Sequence, residues 1–368
     1  MKIFELSMNL SIATLWSKAW PILFALLFFG LVITLHEVGH FIFAKLFKVK
    51  VNQFAIGMGP AIIKKKIGET LYAVRLLPMG GYVNMEGEDE DSNDDKAFGK
   101  KPIWQRFIIV SAGAIFNLIT GLVIVAVMLS QQSLIGTTQI RHFDKNAISH
   151  ETGLQPGDRI IRIDGMMIFS DSDISYALLR STNEEYDFVV DRNGVETKVN
   201  GVKFARQASP TGKGDIVRVD FVLVGEEVTV GRVLKNALVE TASMGRIVRL
   251  TLVDLVRGKY GINDLSGPIG TINMIAGAAS DAVTDTENGR DFTGILSILA
   301  FISINLGIFN LMPIPALDGG RLFFFVVEAI RRKPIPPKYE AYVHAVGFTL
   351  LIGLMVIVSI NDIFGVFR

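Results

Sequence analysis

The sequence contains no cysteine. That excludes disulfides, thiolate-held metal and a cysteine nucleophile, so any metal must be bound by histidine nitrogen or by oxygen. The redox compartment is left open. Histidine is scarce as well, with five in 368 residues. Charged residues make up only 20% of the chain and nearly cancel, leaving a net charge of +1. There is no basic field to attract nucleic acid and no acidic tail, so no nucleic-acid partner is expected. Internal repeats and low-complexity tracts are also missing. What remains is apolar: half the residues are hydrophobic and the mean hydropathy is positive. Length alone suggests two or three domains, and the composition divides them between lipid and water.

Four apolar stretches are long enough to cross a hydrocarbon core of roughly 30 Å at 1.5 Å per helical residue. They lie at about residues 20–47, 107–129, 295–311 and 343–360. The first carries polar residues and is followed by no small-residue cleavage site, which sets it apart from a secretory signal peptide. A shorter stretch, 322–330, follows Pro313 and Pro315, and the sequence does not decide whether it spans or re-enters. Lysine and arginine concentrate between the first two stretches, from Lys45 to Arg106, and between the last two, from Arg321 to Lys338. Both loops are therefore expected in the cytoplasm, with the long central region outside. The acidic run 86–95 in the first loop reads as a solvated loop.

The first loop is patterned. Two β-type runs flank Gly68-Glu69, and Gly57, Gly59, Gly80 and Gly81 allow positive φ or close backbone approach. The reading is a membrane-associated β-hairpin, tolerable at that depth only against protein or a water-filled cavity. Residues 135–205 read as a small α+β domain. It has a turn at Gly153–Asp158, a short strand at 159–163 and a helix capped by Ser170 or Asp171. A hairpin turns at Arg192-Asn193-Gly194. With "GLQPGDRIIRIDG" at its centre, this region resembles a bacterial PDZ domain, a class that binds extended peptide by strand addition. Residues 232–256 have helical spacing and are read as an amphipathic helix on the outer membrane surface, with Arg246, Arg249 and Arg257 toward headgroups; a soluble connecting helix is the alternative.

The chemistry is concentrated in His36-Glu37-Val38-Gly39-His40, inside the first apolar stretch. Residues four apart share one helix face, so both imidazoles can reach one zinc. Glu37 sits beside them, off the ligand line, where a carboxylate can take a proton from water and return it to a leaving amine. Two histidines and a glutamate are expensive in lipid unless paired or liganded. A catalytic zinc usually has three protein ligands. The candidate third is Asp318, in Asn310-Leu311-Met312-Pro313-Ile314-Pro315-Ala316-Leu317-Asp318-Gly319-Gly320, where prolines break a helix and glycines let the chain turn. One Zn2+ per chain is expected. Two other classes compete: an adaptor with an inactive protease remnant, against which the intact His36, Glu37, His40 and Asp318 argue, and a metal transporter, which would need more polar residues across the second and fourth stretches.

HEVGH, "NLMPIPALDGG" and an inserted PDZ-like region together resemble the site-2 protease family of intramembrane zinc metalloproteases, in its bacterial RseP and RasP form with one PDZ domain. The resemblance covers nearly the whole chain, including "FAIGMGP", "RLLPMGGYVNMEGED", "INLGIFNLMPIPALDGGRL" and "LSGPIG". It implies His36, His40 and Asp318 as zinc ligands and Glu37 as the catalytic glutamate. Asn310 would hold substrate backbone, Pro313 and Pro315 would shape that segment, and the hairpin around Gly57, Gly59, Gly80 and Gly81 would receive unwound substrate. Relatives often read Gly-Pro-x-x-Asn in the second span; here Ala114 replaces the proline between Gly113 and Asn117, which puts a kink in doubt.

The fold this implies is a polytopic α-helical membrane protein of about four transmembrane helices, with a membrane-associated β-hairpin and an inserted extracytoplasmic PDZ domain. Its segments are 1–50 (N-terminal segment and first span), 51–105 (hairpin and loop), 106–130 (second span), 135–205 (PDZ), 206–290 (β stretch and surface helix) and 291–368 (third and fourth spans). The implied setting is a bacterial cell membrane, with the active site toward the cytoplasm. The implied partners are the lipid bilayer, single-span membrane proteins already trimmed by another protease, such as anti-sigma factors or signal-peptide remnants, and a peptide or substrate tail at the PDZ.

Overall fold

A computed structural model describes residues 12–88, 90–181, 183–208, 215–259, 261, 267–284 and 292–366. Residues 1–11 of the N-terminal segment, residue 89 of the acidic run, Leu265 and Ser266 of "LSGPIG", and parts of 206–290 lie outside the described residues.

In chain order the elements begin with α1 (Ile12–Leu46), β1 (Val51–Ile67), β2 (Thr70–Met85), α2 (Ile103–Gln131) and β3 (Leu134–Phe143). Next come α3 (Ile148–Glu151), β4 (Arg159–Ile163), β5 (Met166–Met167), α4 (Asp171–Arg180), β6 (Glu185–Arg192) and β7 (Val195–Lys203). Then follow β8 (Arg206–Ala208), β9 (Asp215–Val217), β10 (Phe221–Glu227), α5 (Val230–Val256), α6 (Pro268–Thr284), α7 (Thr293–Leu311), α8 (Asp318–Arg331) and α9 (Pro337–Val366). The contacts divide the chain into two units, one of residues 1–124 with 253–368 and the other of residues 125–252.

The first unit holds apolar helices. Among the described residues, four helices are long and apolar enough to cross a membrane: Ala19–Leu46, Ile103–Gln131, Thr293–Leu311 and Lys338–Asp362. These fall on the four expected stretches. Most of the window in the last of them faces outward, as an apolar helix does when lipid is its solvent. The stretch 322–330 belongs to α8, whose 14 residues give roughly 21 Å of helix, short of a full crossing. Helix α6 departs from the sequence expectation of a β stretch and a surface helix over residues 206–290. Its Ile275, Ala279 and Ala282 are buried with Ala25, Phe28 and Val32 of α1 and Ile295 and Leu299 of α7. Small residues at helical spacing let it approach α1 closely, and its modest hydropathy hid it. The expected hairpin is present as β1 and β2, antiparallel and closed by Ile67 opposite Thr70. Many of its large apolar side chains are exposed, among them Met58, Ile62, Ile63 and Leu76.

The second unit is built on a six-stranded sheet of order β10-β3-β4-β6-β7, with β5 on β4. Its core is Ile140, Leu154, Ile160, Ile163, Tyr186, Phe188 and Val190, covered by Ile174 and Leu178 of α4. The Asn193-Gly194 turn has positive φ at both residues (55° and 85°), as a tight two-residue hairpin requires. Ser170 is the N-cap of α4, and Asp173 accepts its N–H at 3.2 Å. Two expectations need correction. The sheet does not end at residue 205: β10 lies beyond it and pairs with β3 from Phe221↔Phe143 to Glu227↔Leu134. Arg246 of α5 does not point to headgroups. It forms a 2.5 Å ion pair with the fully buried Asp173 and lies over the Phe169 ring, because a buried carboxylate recruits the nearest cation.

Candidate active site

α1 carries His36 and His40 one turn apart, and both are buried. α8 starts at Asp318, after the chain has left α7 through Pro313 and Pro315. Ala316 there adopts a left-handed conformation, φ 77°, and its N–H donates to His344 Nδ1 of α9 at 3.1 Å. Gly319 is required at this turn, since a Cβ would collide with the Met312 carbonyl.

Asp318 Oδ2 lies 3.1 Å from His36 Nε2 and 3.3 Å from His40 Nε2, and the two Nε2 atoms are 3.2 Å apart. Three ligand atoms each about 2.0–2.1 Å from one zinc, at tetrahedral angles, would stand about 3.3 Å apart. The triangle therefore has the size of one face of a zinc tetrahedron. Asp318 Oδ2 is buried with no hydrogen-bond partner, and the atoms facing it are the Nε2 nitrogens of His36 and His40. Among the described residues this is the one His/Asp/Glu group whose ligand atoms converge in this way. Nitrogen and carboxylate oxygen form a donor set suited to zinc.

Each histidine is held from behind. His40 Nδ1–H donates to the Ile109 carbonyl of α2 at 2.8 Å. The fully buried Asn117, also on α2, places its side-chain amide 3.3 Å from His36 Nδ1. α1 and α2 approach at glycines: a Cβ on Gly39 would stand 2.5 Å from the Ala112 carbonyl, and one on Gly113 would strike the His40 ring. Glu37 turns toward β2, where its Oε2 accepts the Val83 N–H at 3.0 Å.

His36, Glu37, His40 and Asp318 line one cavity of about 310 Å³, together with Tyr82, Val83, Glu88, Arg321, Glu340 and His344. Arg321 pairs with Glu88 and stands 3.9 Å from Glu340. The acidic run is thus not simply solvated: Glu88 is 17% exposed and lines the site. Of the other expected site residues, Asn310, Pro313, Pro315, Gly57, Gly59, Gly80 and Gly81 are not among those lining the cavity. Asn310 is buried at the end of α7. Gly57, Gly59 and Gly80 have φ near +80°, and Gly81 lets β2 pass close to Glu37. Sequence reasoning assigned no site role to Asn117, Glu88, Glu340 or His344. The available signal was polarity out of place: Asn117 within an apolar helix, and Glu340 and His344 four apart at the start of one.

The model of peptidase family M50 matches residues 24–354. A protein of Clostridium perfringens whose name describes it as a zinc metalloprotease is 37% identical over 344 residues, covering 93% of this chain and 98% of that protein. The zinc metalloprotease RasP of Bacillus licheniformis is 30% identical over 420 residues, covering 92% and 97%. The regulator of sigma-W protease RasP of Bacillus subtilis is 29% identical over 420 residues, with the same coverage.

Proposed function

The chain belongs to peptidase family M50 and is a zinc metalloprotease of a bacterial membrane, and from that premise we propose that His36, His40 and Asp318 hold its zinc and Glu37 transfers its protons. The observation that carries this is the triangle of Nε2, Nε2 and Oδ2 at 3.1–3.3 Å around an otherwise unpartnered carboxylate oxygen. Zinc, when bound, supplies Lewis acidity toward a carbonyl and toward water. The chain supplies the rest. Glu37 is anchored through one oxygen by Val83 N–H, which leaves its other oxygen free to accept a proton in the cavity and deliver it to the departing amine.

A peptide bond inside a helix must be unwound before its carbonyl is open to attack. The β1–β2 hairpin, whose β2 meets Glu37, supports strand addition as the means. Gly57, Gly59, Gly80 and Gly81 would keep its backbone open to a paired strand, and Asn310, with Pro313 and Pro315 shaping its segment, would hold freed backbone groups. The substrates proposed are single-span membrane proteins already shortened by another protease. The Bacillus subtilis relative's name ties that protein to sigma-W, which favours regulators of sigma factors as one such class. By the distribution of lysine and arginine, the loop after α1 is cytoplasmic and residues 132–256 extracytoplasmic. The second unit is proposed to act as a PDZ-type receptor. α4 and the edge strand β10 flank a cavity of about 310 Å³ lined by Asp171, Ile174, Ser175, Val219, Phe221 and Leu223, where a peptide strand could pair with β10.

The test is Glu37→Gln in full-length chain co-expressed with a tagged single-span substrate. Cleavage should fall by roughly 10²–10⁴-fold while zinc content stays at the wild-type level. Cleavage at the wild-type rate would remove Glu37 from the mechanism.

A further inference from the structure

We propose that Asn117 is a positioning residue of the metal site, fixing the tautomer and orientation of His36 through its side-chain oxygen. The proposal rests on the assignment of zinc to His36, His40 and Asp318. A neutral imidazole has one N–H and one lone pair. Both Nε2 atoms converge on Asp318 Oδ2, so both lone pairs belong on Nε2 and both protons on Nδ1. At His40 this is already enforced, because the partner of Nδ1 is the Ile109 carbonyl, which only accepts.

His36 Nδ1–H needs an acceptor too, and the group facing it is the Asn117 amide, 3.3 Å away. Of the two ends of that amide, only the oxygen can accept. Asn117 Oδ1 is buried without a hydrogen-bond partner while Nδ2 faces the imidazole. The two ends have nearly the same shape and are assigned by hydrogen-bond logic. A half-turn about the last side-chain bond brings the orphaned acceptor onto the Nδ1–H. Asn117 is fully buried, so bulk water does not take over this role.

α2 is built to present this contact. Ile109, Gly113 and Asn117 are four apart and share one helix face. They offer, in turn, a carbonyl for His40, space for its ring and an amide for His36. The Asn117 backbone is held as well, its carbonyl accepting Ser303 Oγ–H of α7 at 2.9 Å. A partner that orients a ligating histidine raises its basicity and limits its rotation.

The experiment measures zinc affinity of the detergent-solubilised full chain by chelator competition, with thermal unfolding recorded alongside. Asn117→Leu keeps the branching and heavy-atom count of the side chain and removes the acceptor, and should weaken zinc binding by roughly 10- to 100-fold. Asn117→Asp keeps an acceptor oxygen in place and should retain the zinc binding that Asn117→Leu loses. If Asn117→Leu does not fold, Asn117→Ala carries the same expectation. In the cobalt-substituted protein, Asn117→Leu should alter the d–d absorption bands, which a residue that only fills space would leave unchanged. Asp318→Ala is the control on the parent assignment. If it loses zinc while Asn117→Leu and Asn117→Ala bind zinc as tightly as wild type, the positioning role is wrong and the ligand assignment stands. If Asp318→Ala binds zinc like wild type, both are wrong.

Discussion

Each unit of this protein holds an acid with a buried carboxylate oxygen, and the two acids are partnered in opposite ways. In the second unit Asp173 is fully buried and meets a cation, Arg246 at 2.5 Å. It also accepts from Ser243 Oγ–H at 3.0 Å and from the N–H groups of Phe169 and Ser170 at 2.8 and 3.2 Å. In the first unit the neighbours of Asp318 Oδ2 are two imidazole nitrogens, His36 Nε2 at 3.1 Å and His40 Nε2 at 3.3 Å. The nearby cation, Arg321, is engaged by Glu88. A buried carboxylate with its own cation is a fastening. One that faces two imidazole nitrogens fits the proposed zinc site, which a positive ion from outside would complete.

The contrast can be broken from either side. The largest effect expected is Asp318→Ala, which should strip zinc from the purified chain and abolish cleavage, read by elemental analysis and by a substrate assay. The fold of the second unit should be unaffected. Asp173→Ala should do the reverse. It leaves Arg246 without its partner and should cost about 3–5 kcal/mol, seen as faster amide exchange in α4 and α5 with zinc content unchanged. Asp173→Leu with Arg246→Met should restore much of that loss, because a well-packed apolar pair can replace a buried ion pair.

The smallest effect concerns Glu240 on α5, which is 6% exposed. Burial raises its carboxyl above the ordinary range; bonds from Ser172 and Ser170 oppose this, while Asp171 and Asp173 add to it. An acid whose pKa is higher when folded holds its proton longer in the native state. Stability therefore declines as pH rises from the ordinary glutamate pKa through the raised one. Glu240→Gln should flatten that decline, measured as α5 amide exchange at pH 4 against pH 8. A slope equal to wild type would remove Glu240 as its source.

The two units also differ in how far their sequence can be read. The proposed metal-binding residues of the first are legible because two of them share a helix turn and the third sits in a proline- and glycine-marked segment. The four spans follow from hydropathy alone. The groups behind the ligands were hidden, because Asn117, Ile109 and His344 act across helices and nothing in local spacing announces a partner tens or hundreds of residues away. α6 was hidden for a different reason: its alanines and glycines have little hydropathy and matter only through the close packing they permit. In the second unit, turn chemistry revealed the Asn193-Gly194 hairpin and the Ser170 cap. β10 escaped the domain boundary because sheet order is nonlocal, with Phe221 closing against Phe143. Arg246 was misplaced because an amphipathic pattern does not say whether its charged face meets headgroups or a buried acid.

The central claim is that one zinc lies among His36 Nε2, His40 Nε2 and Asp318 Oδ2. X-ray absorption at the zinc edge of the purified Glu37→Gln chain tests it most directly. The account predicts a shell of nitrogen and oxygen at about 2.0–2.1 Å with imidazole outer-shell scattering, and loss of the zinc signal when Asp318→Ala is added. A zinc signal of full intensity with an unchanged ligand shell in the double variant would contradict it.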